Sequence, residues 1–374
     1  MNVGDYKPVK TGIIGCGMIS DIYLKNCRDI FHITDVVACA DLDIQKAREK
    51  ADKYGIKVCT VDELLSDSGI EAVINLTVPV AHAAISKKIL ASGKHAYSEK
   101  PLAVELGDGE ELIDIAEKSE LCMGAAPDTF LGGGIQTAKK LIDDGWIGDP
   151  IGVNAFLLTR GPEFFHPNPD FFYQYGGGPL MDFGPYYISA MVALLGPVNK
   201  VSAFTKITYP QRTIRGNNPR KGEKIKVEIP THYTAILEFD SGVTGTMTVS
   251  FDMQYPYWES RLPCIQIEGS GGSIIIPDPN KFEGPVKLRR LSGDYHEIPL
   301  SHGFTDNMRG MGFACMLNSL AEKKTRMAGG YLALHVLEVM TGISKSAESE
   351  KTYRIKHKCE RPEGLPCVMP EYLY

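Results

Sequence analysis

In "SEKPLA", residues 98–103, a lysine stands between a glutamate and a proline. A proline restricts the residue before it to extended geometry, so Lys100 is aimed. An ammonium group held this way offers a cation to a substrate oxygen, and burial can lower a lysine pKa toward proton transfer. The bland alternative is an exposed lysine at a loop edge. A second set lies in "GGGPLMDFGPYY", residues 176–187, where Asp182 and Tyr186 are four apart. On a helix running through both they share one face. Glycines beside them leave room for something to approach. A free tyrosine titrates near ~10, too high for an efficient base at neutral pH, and a nearby ammonium stabilises its phenolate and lowers that value. Equally, the pair reads as a capping aspartate and an aromatic core residue.

A third set is "TGIIGCGMIS", a strand, a Gly-rich turn and the start of a helix. Gly15 and Gly17 fit the first two positions of GxGxxG: the first allows a tight turn, the second lets backbone approach a pyrophosphate. Met18 and Ile19 continue the turn, and Ser20 stands where a third glycine is usual. A small residue there still permits close helix–strand packing. "VVACADLD" places Asp41 24 residues beyond Gly17. A carboxylate at that point accepts hydrogen bonds from ribose hydroxyls and repels a 2′-phosphate, and Leu42 brings no compensating charge. The cofactor expected is NAD rather than NADP.

These groups need elements to position them. Over the first 125 residues, strand-length apolar runs ("VKTGIIG", "ITDVVACAD", "EAVINLT", "KHAYS", "LCMGAA") alternate with helical patterns. That alternation implies a parallel sheet covered on both faces. Lys100 then falls at the end of a strand, where such sheets place ligand chemistry. From about residue 128 the pattern changes. After the helix "IQTAKKLIDDG" come strand-like segments from "IGVNAFLLTR" to "VKLRRL", with "FDSGV" and "SGGS" as turns. The alternation in "THYTAILEF" and "TGTMTVSF" suits an antiparallel sheet with two unlike faces. "MGFACMLNSLAEKK" and "GGYLALHVLEVMTGISKSA" are predicted helices. The expected domains are 1–127 and 128–374, an α/β chain throughout.

Bulk properties narrow the class. The chain has 374 residues, is 43% hydrophobic and carries a net charge of −6, which argues against a nucleic-acid binder. No apolar run approaches the ~20 residues that span a bilayer, and "MNVGDYKPVK" has no signal-peptide character. The nine cysteines form no CxxC pair, which fits reduced thiols in a cytoplasmic protein and no metal site. "RTIRGNNPRKGEKIKVE" is the one basic cluster and is expected to form a solvated hairpin loop.

Together these pieces resemble the glucose–fructose oxidoreductase/inositol dehydrogenase (Gfo/Idh/MocA) family over nearly the whole chain. The resemblance rests on "GIIGCGMISDIYLKN", "ADLD", "NLTVPVAH", "EKPLAVE", "GGGPLMDFGPYY" with "LLGPV", and "LALHVLEVM". It implies an N-terminal Rossmann domain and a C-terminal α/β domain with a large, mostly antiparallel open sheet, often paired as dimers or tetramers. It also implies hydride transfer between a nicotinamide and a sugar, cyclitol or related hydroxy compound. The motif lysine is Lys100 and the motif aspartate is Asp182. Many relatives have histidine where this chain has Tyr186, and glucose–fructose oxidoreductase looks similar in using tyrosine. Thr77, Pro79, His82 and Glu99 are the expected further cofactor neighbours. Asp128 of "APDTF", Tyr187, and His166 and Asn168 of "RGPEFFHPNPDFFYQYGGG" are the expected substrate neighbours. Two rival functions remain: a glycoside-cleaving enzyme that uses transient oxidation by bound NAD, and a non-catalytic dinucleotide sensor.

Overall fold

The computed structural model describes residues 7–255, 259, 262–322 and 328–367. They form two compact units. The first holds the described residues up to Gly132, then His302–Leu337 and those from Pro362 onward; the second holds Gly133–Ser301 and Glu338–Arg361.

The first unit is built on six strands: β1 (Val9–Ile14), β2 (Thr34–Ala40), β3 (Lys57–Val58), β4 (Ala72–Asn75), β5 (His95–Ser98) and β6 (Met123–Ala125). Their order is β3-β2-β1-β4-β5-β6, and every pairing is parallel. The connecting helices are α1 (Ser20–Asp29), α2 (Ile44–Tyr54), α3 (Val61–Ser66), α4 (His82–Ala91) and α5 (Leu106–Lys118). All four β4 residues are buried, as expected of a strand covered on both faces. Asp43 caps α2 by accepting from the Gln45 amide, and Gly55 ends it in the left-handed region. β3 and α3 escape the sequence reading because two and six residues are too short to show a period. The order reverses direction at β1 and β4, and parallel sheets bind ligands beyond the carboxyl ends of strands at such a point.

The second unit opens with α6 (Gly133–Asp143), β7 (Pro150–Leu158), α7 (Gly178–Leu195) and β8 (Val198–Lys206). A small hairpin follows, β9 (Gln211–Thr213) with β10 (Lys224–Lys226). Then come β11 (His232–Phe239), β12 (Thr244–Ser250), β13 (Ile265–Gly269), β14 (Gly272–Ile276), β15 (Val286–Arg290), β16 (His296–Ile298) and β17 (Tyr353–Arg354). The nine-stranded sheet runs β16-β15-β14-β13-β7-β12-β11-β8-β17, antiparallel except where β12 joins β7. "FDSGV" makes the β11–β12 turn, with Gly242 at φ 85°. α7 is apolar on nearly every side and packs against β7, β11 and β12. On the opposite face Phe204 and Ile236 stand exposed. Two late helices complete the chain, α8 (Met311–Asn318) and α9 (Gly330–Ser349), and the division between the units falls within α9. Among the described residues no helix is long and apolar enough to cross a membrane.

Candidate active site

β1 delivers Gly15 at φ 101°, and a Cβ there would lie 2.6 Å from the Leu76 carbonyl carbon and oxygen. Only glycine fits that close approach of the first turn to the end of β4. Gly17 is different. A Cβ on it would meet no atom of the chain within 4 Å, so no internal contact demands glycine. The space is open to a molecule from outside, as a pyrophosphate cradle requires. Met18 beside it is exposed, and Ile19 is the half-buried N-cap residue of α1. Ser20 takes the third motif position fully buried, with its hydroxyl donating to the Gly17 carbonyl at 2.6 Å.

Asp41 stands at the end of β2. Its Oδ2 accepts from the Cys16 amide at 2.7 Å and its Oδ1 from the Asp43 amide at 2.8 Å. The carboxylate is thus tied to the Gly-rich turn, and Asp43 supplies the cap of α2. Asp41 is half-buried and each oxygen keeps a lone pair for another donor. Leu42 projects into solvent.

Beyond β4 and β5 lies a polar lattice. Lys100 is half-exposed, and its peptide to Pro101 is cis. The Lys100 amide donates to Glu99 Oε2 at 2.9 Å, and the Tyr23 hydroxyl donates to Glu99 Oε1 at 2.8 Å. Burial, then the Glu99 charge, pushes the Tyr23 pKa well up, which keeps the phenol a donor. The Glu99 amide donates to the Asn75 carbonyl at 2.8 Å. Asn75 in turn accepts from the Thr77 hydroxyl at 2.7 Å and donates to the His82 carbonyl at 3.0 Å. Thr77 and Pro79 remain half-buried at the strand end, with Pro79 opening a single 3-10 turn.

Three expected contact residues are placed otherwise. His82 is buried, with Nδ1 at 2.7 Å from the Pro101 carbonyl and Nε2 at 2.9 Å from the Thr77 carbonyl. Both ring nitrogens face the chain's own backbone, which leaves no polar atom for a bound molecule. Asp128 is buried too, and its Oδ2 accepts from the Gly310 and Gly312 amides at 2.9 and 3.0 Å. It satisfies the amino end of α8, whose first amides have no partner within the helix. Burial pushes its carboxyl up to about 6, against the pull of the Gly312 amide. Tyr187 is fully buried, and its hydroxyl donates to the Phe156 carbonyl of β7 at 3.2 Å.

In the second unit α7 runs through both Asp182 and Tyr186, so the two share a face. Pro179 lies in the helix's first turn and Pro185 inside it. Asp182 is half-buried and Tyr186 is 7% exposed. The loop before α7 carries His166, half-buried against Phe171 and Phe172 at ring separations of 5.3 and 5.1 Å, and Asn168, exposed. Phe165, Phe171 and Tyr175 turn outward.

The device that fixes this loop was not expected from sequence. Arg212 lies in the basic cluster but points inward and is 8% exposed. Its guanidinium meets Glu163 at 2.7 Å and Asp252 at 3.1 Å, and donates to the Arg160 and Phe251 carbonyls at 2.6 and 2.9 Å. The Tyr173 hydroxyl donates to Glu163, and the Thr231 hydroxyl to Asp252 at 2.8 Å. One sequence signal marks Arg212: it is two residues from Ile214, so on a strand both project to the same inward face.

Comparison with known proteins decides the family. Residues 9–126 match the oxidoreductase family model with NAD-binding Rossmann fold, and residues 135–275 match the GFO/IDH/MocA C-terminal domain. The chain belongs to the GFO/IDH/MocA family. An uncharacterized oxidoreductase of Schizosaccharomyces pombe is 29% identical over 52% of this chain and 54% of its own length. An inositol 2-dehydrogenase of Salmonella typhimurium is 30% identical over 42% of this chain and 49% of its own. The chain thus spans about half the length of these curated relatives. The scyllo-inositol 2-dehydrogenase (NAD(+)) of Bacillus subtilis is 27% identical over 70% of this chain and 72% of its own. Among solved structures, levoglucosan dehydrogenase in complex with NADH and L-sorbose matches with TM-score 0.78 and 18% identity, covering 93% of this chain and 99% of the other. That likeness establishes the family's fold.

Proposed function

We propose that this family member is an oxidoreductase that transfers hydride between NAD and a hydroxyl-bearing carbon of a sugar, cyclitol or sugar derivative. The observation that carries the reading is the make-up of the first unit's strand ends. An open turn at Gly17, the Asp41 carboxylate and the half-exposed Lys100 all belong to the carboxyl side of one parallel sheet. The Asp41 carboxylate favours ribose hydroxyls over a 2′-phosphate, which supports NAD. Relatives named inositol dehydrogenases support the polyol substrate class.

A bound nicotinamide would supply the hydride acceptor at C4. The chain's own part is the proton. Tyr186 takes the substrate hydroxyl proton at its phenolic oxygen. Lys100 stabilises the phenolate through its charge, and Asp182 orients the sugar or the lysine. In the opposite direction the same pair protonates the alkoxide. The exposed rings of Phe171 and Tyr175, with His166 and Asn168 beside them, offer faces and hydrogen bonds to a carbohydrate ring. A second copy of the chain covers the outer sheet face, where the register aligns Phe204, Thr234, Thr248 and Phe156 in one row. Ile236→Lys should then shift the sedimenting species toward monomer.

The test is a panel of sugars and polyols followed at 340 nm, with Lys100→Met as control and products weighed by mass spectrometry. Substrate-dependent NADH formation that Lys100→Met abolishes supports the reading. Unchanged turnover in Lys100→Met overturns the mechanism. Bond cleavage without net NADH assigns the chain to the elimination chemistry instead.

A further inference from the structure

We propose that His82 is a positioning residue: its ring donates from Nδ1 to the Pro101 carbonyl and thereby aims Lys100. The inference rests on the reading of Lys100 as a catalytic group. Four observations, all within the first unit, support it. His82 is 1% exposed at the amino end of α4, so its ring is fixed by packing. Its two nitrogens reach carbonyls that follow two different strands, β4 and β5. Its own carbonyl is held by Asn75 at 3.0 Å, and the same Asn75 side chain reaches the Ser86 hydroxyl at 3.0 Å, one turn along α4. Asn75 also takes the Thr77 hydroxyl and amide, at 2.7 and 3.2 Å. The imidazole is therefore seated in a frame whose other members are strand and helix residues.

The ring has one donor to give. A neutral imidazole has one N–H, yet both partners are acceptors. Burial pulls the His82 pKa below its ordinary value, with the Lys100 charge acting the same way and the two carbonyls and Glu99 opposing. The neutral ring donates along the shorter contact, from Nδ1 to Pro101. Glu99 holds the Lys100 amide from the other side. Lys100 is thus gripped on both flanks of its backbone.

Substitution can keep or remove the Nδ1 donor. The asparagine amide nitrogen overlays Nδ1, the glutamine amide nitrogen overlays Nε2, and alanine keeps neither. The experiment is competitive acylation of the full chain with acetic anhydride, with each lysine read by mass spectrometry. Lys118, a surface lysine paired with Asp114, is the internal reference. His82→Ala and His82→Gln should change the Lys100 labelling rate by about threefold or more, while His82→Asn leaves it near wild type. Equal Lys100 labelling in all three variants, or the same change in all three, overturns the proposal. If His82→Ala does not fold, the Asn-against-Gln contrast still decides. Turnover of Lys100→Met is measured in parallel: its survival sinks the catalytic reading alone, whereas an unsplit labelling pattern sinks the His82 positioning role alone.

Discussion

The lattice behind Lys100 and the hub under the aromatic loop both hold a loop by burying polar side chains, and they do it by opposite means. In the first, one carboxylate, Glu99, is answered by a backbone amide and a phenol, and the remaining members are neutral. In the second, one guanidinium lies between two carboxylates, with a phenol and a hydroxyl completing the shell. The first holds a half-exposed lysine's backbone with few charges; the second pairs a buried cation with two carboxylates. A loop meant to present an ion is better held by dipoles, because a neighbouring ion pair would draw the presented charge inward. A loop meant to present aromatic faces has no such constraint.

The largest expected effect falls on the first region. Lys100→Met should lower kcat/KM by about a thousandfold in steady-state assays while NADH affinity stays near wild type. A comparable loss of NADH affinity would mean that Lys100 binds rather than reacts. Next comes the hub. Arg212→Met leaves Glu163 and Asp252 without their cation, and urea denaturation should register a loss of about 3–5 kcal/mol. NADH titration of that variant should be unchanged; a weakened NADH complex would erase the contrast between the two regions. Asp128 gives a pH test inside the first unit. Its folded pKa, about 6, lies above the ordinary value. Its stabilising contribution is therefore complete below about pH 4 and disappears as pH rises through about 6, a span of roughly 2–3 kcal/mol. Asp128→Asn should flatten that slope in denaturation curves between pH 4 and 7. The smallest effect belongs to Ser20→Gly, which restores the usual motif residue but deletes the bond to Gly17. A loss of about 1 kcal/mol, seen as a small drop in Tm, is expected.

The two regions also differ in how far they could be read in advance. The strand ends around Gly15, Asp41 and Lys100 follow from local patterns: a Gly-rich turn, a run of apolar residues, a proline after a lysine. Both units' sheets were foreseen, since alternation of period two and continuous apolar runs report which faces are covered. His82 and Asp128 were expected beside a bound molecule, and in the structure their polar atoms meet the chain's own backbone. Sequence marks a polar residue near a site without saying whether its partner is a ligand or the backbone; here the carbonyls of Pro101 and Thr77 and the amides of Gly310 and Gly312 claim them. Arg212 went unseen for a related reason. Its partners Glu163 and Asp252 stand 49 residues before it and 40 after it, and no short-range spacing links such a trio.

Asp41 fastens the amide of Cys16 as well as facing the open turn. Altering coenzyme preference by exchanging Asp41 for a neutral residue would strip a backbone amide of its acceptor and slacken the loop that both coenzymes need. The neighbouring Leu42, whose side chain touches nothing it must keep, is the better place to install a positive charge. An engineer widening this chain's diet to NADP should begin there and spare the carboxylate.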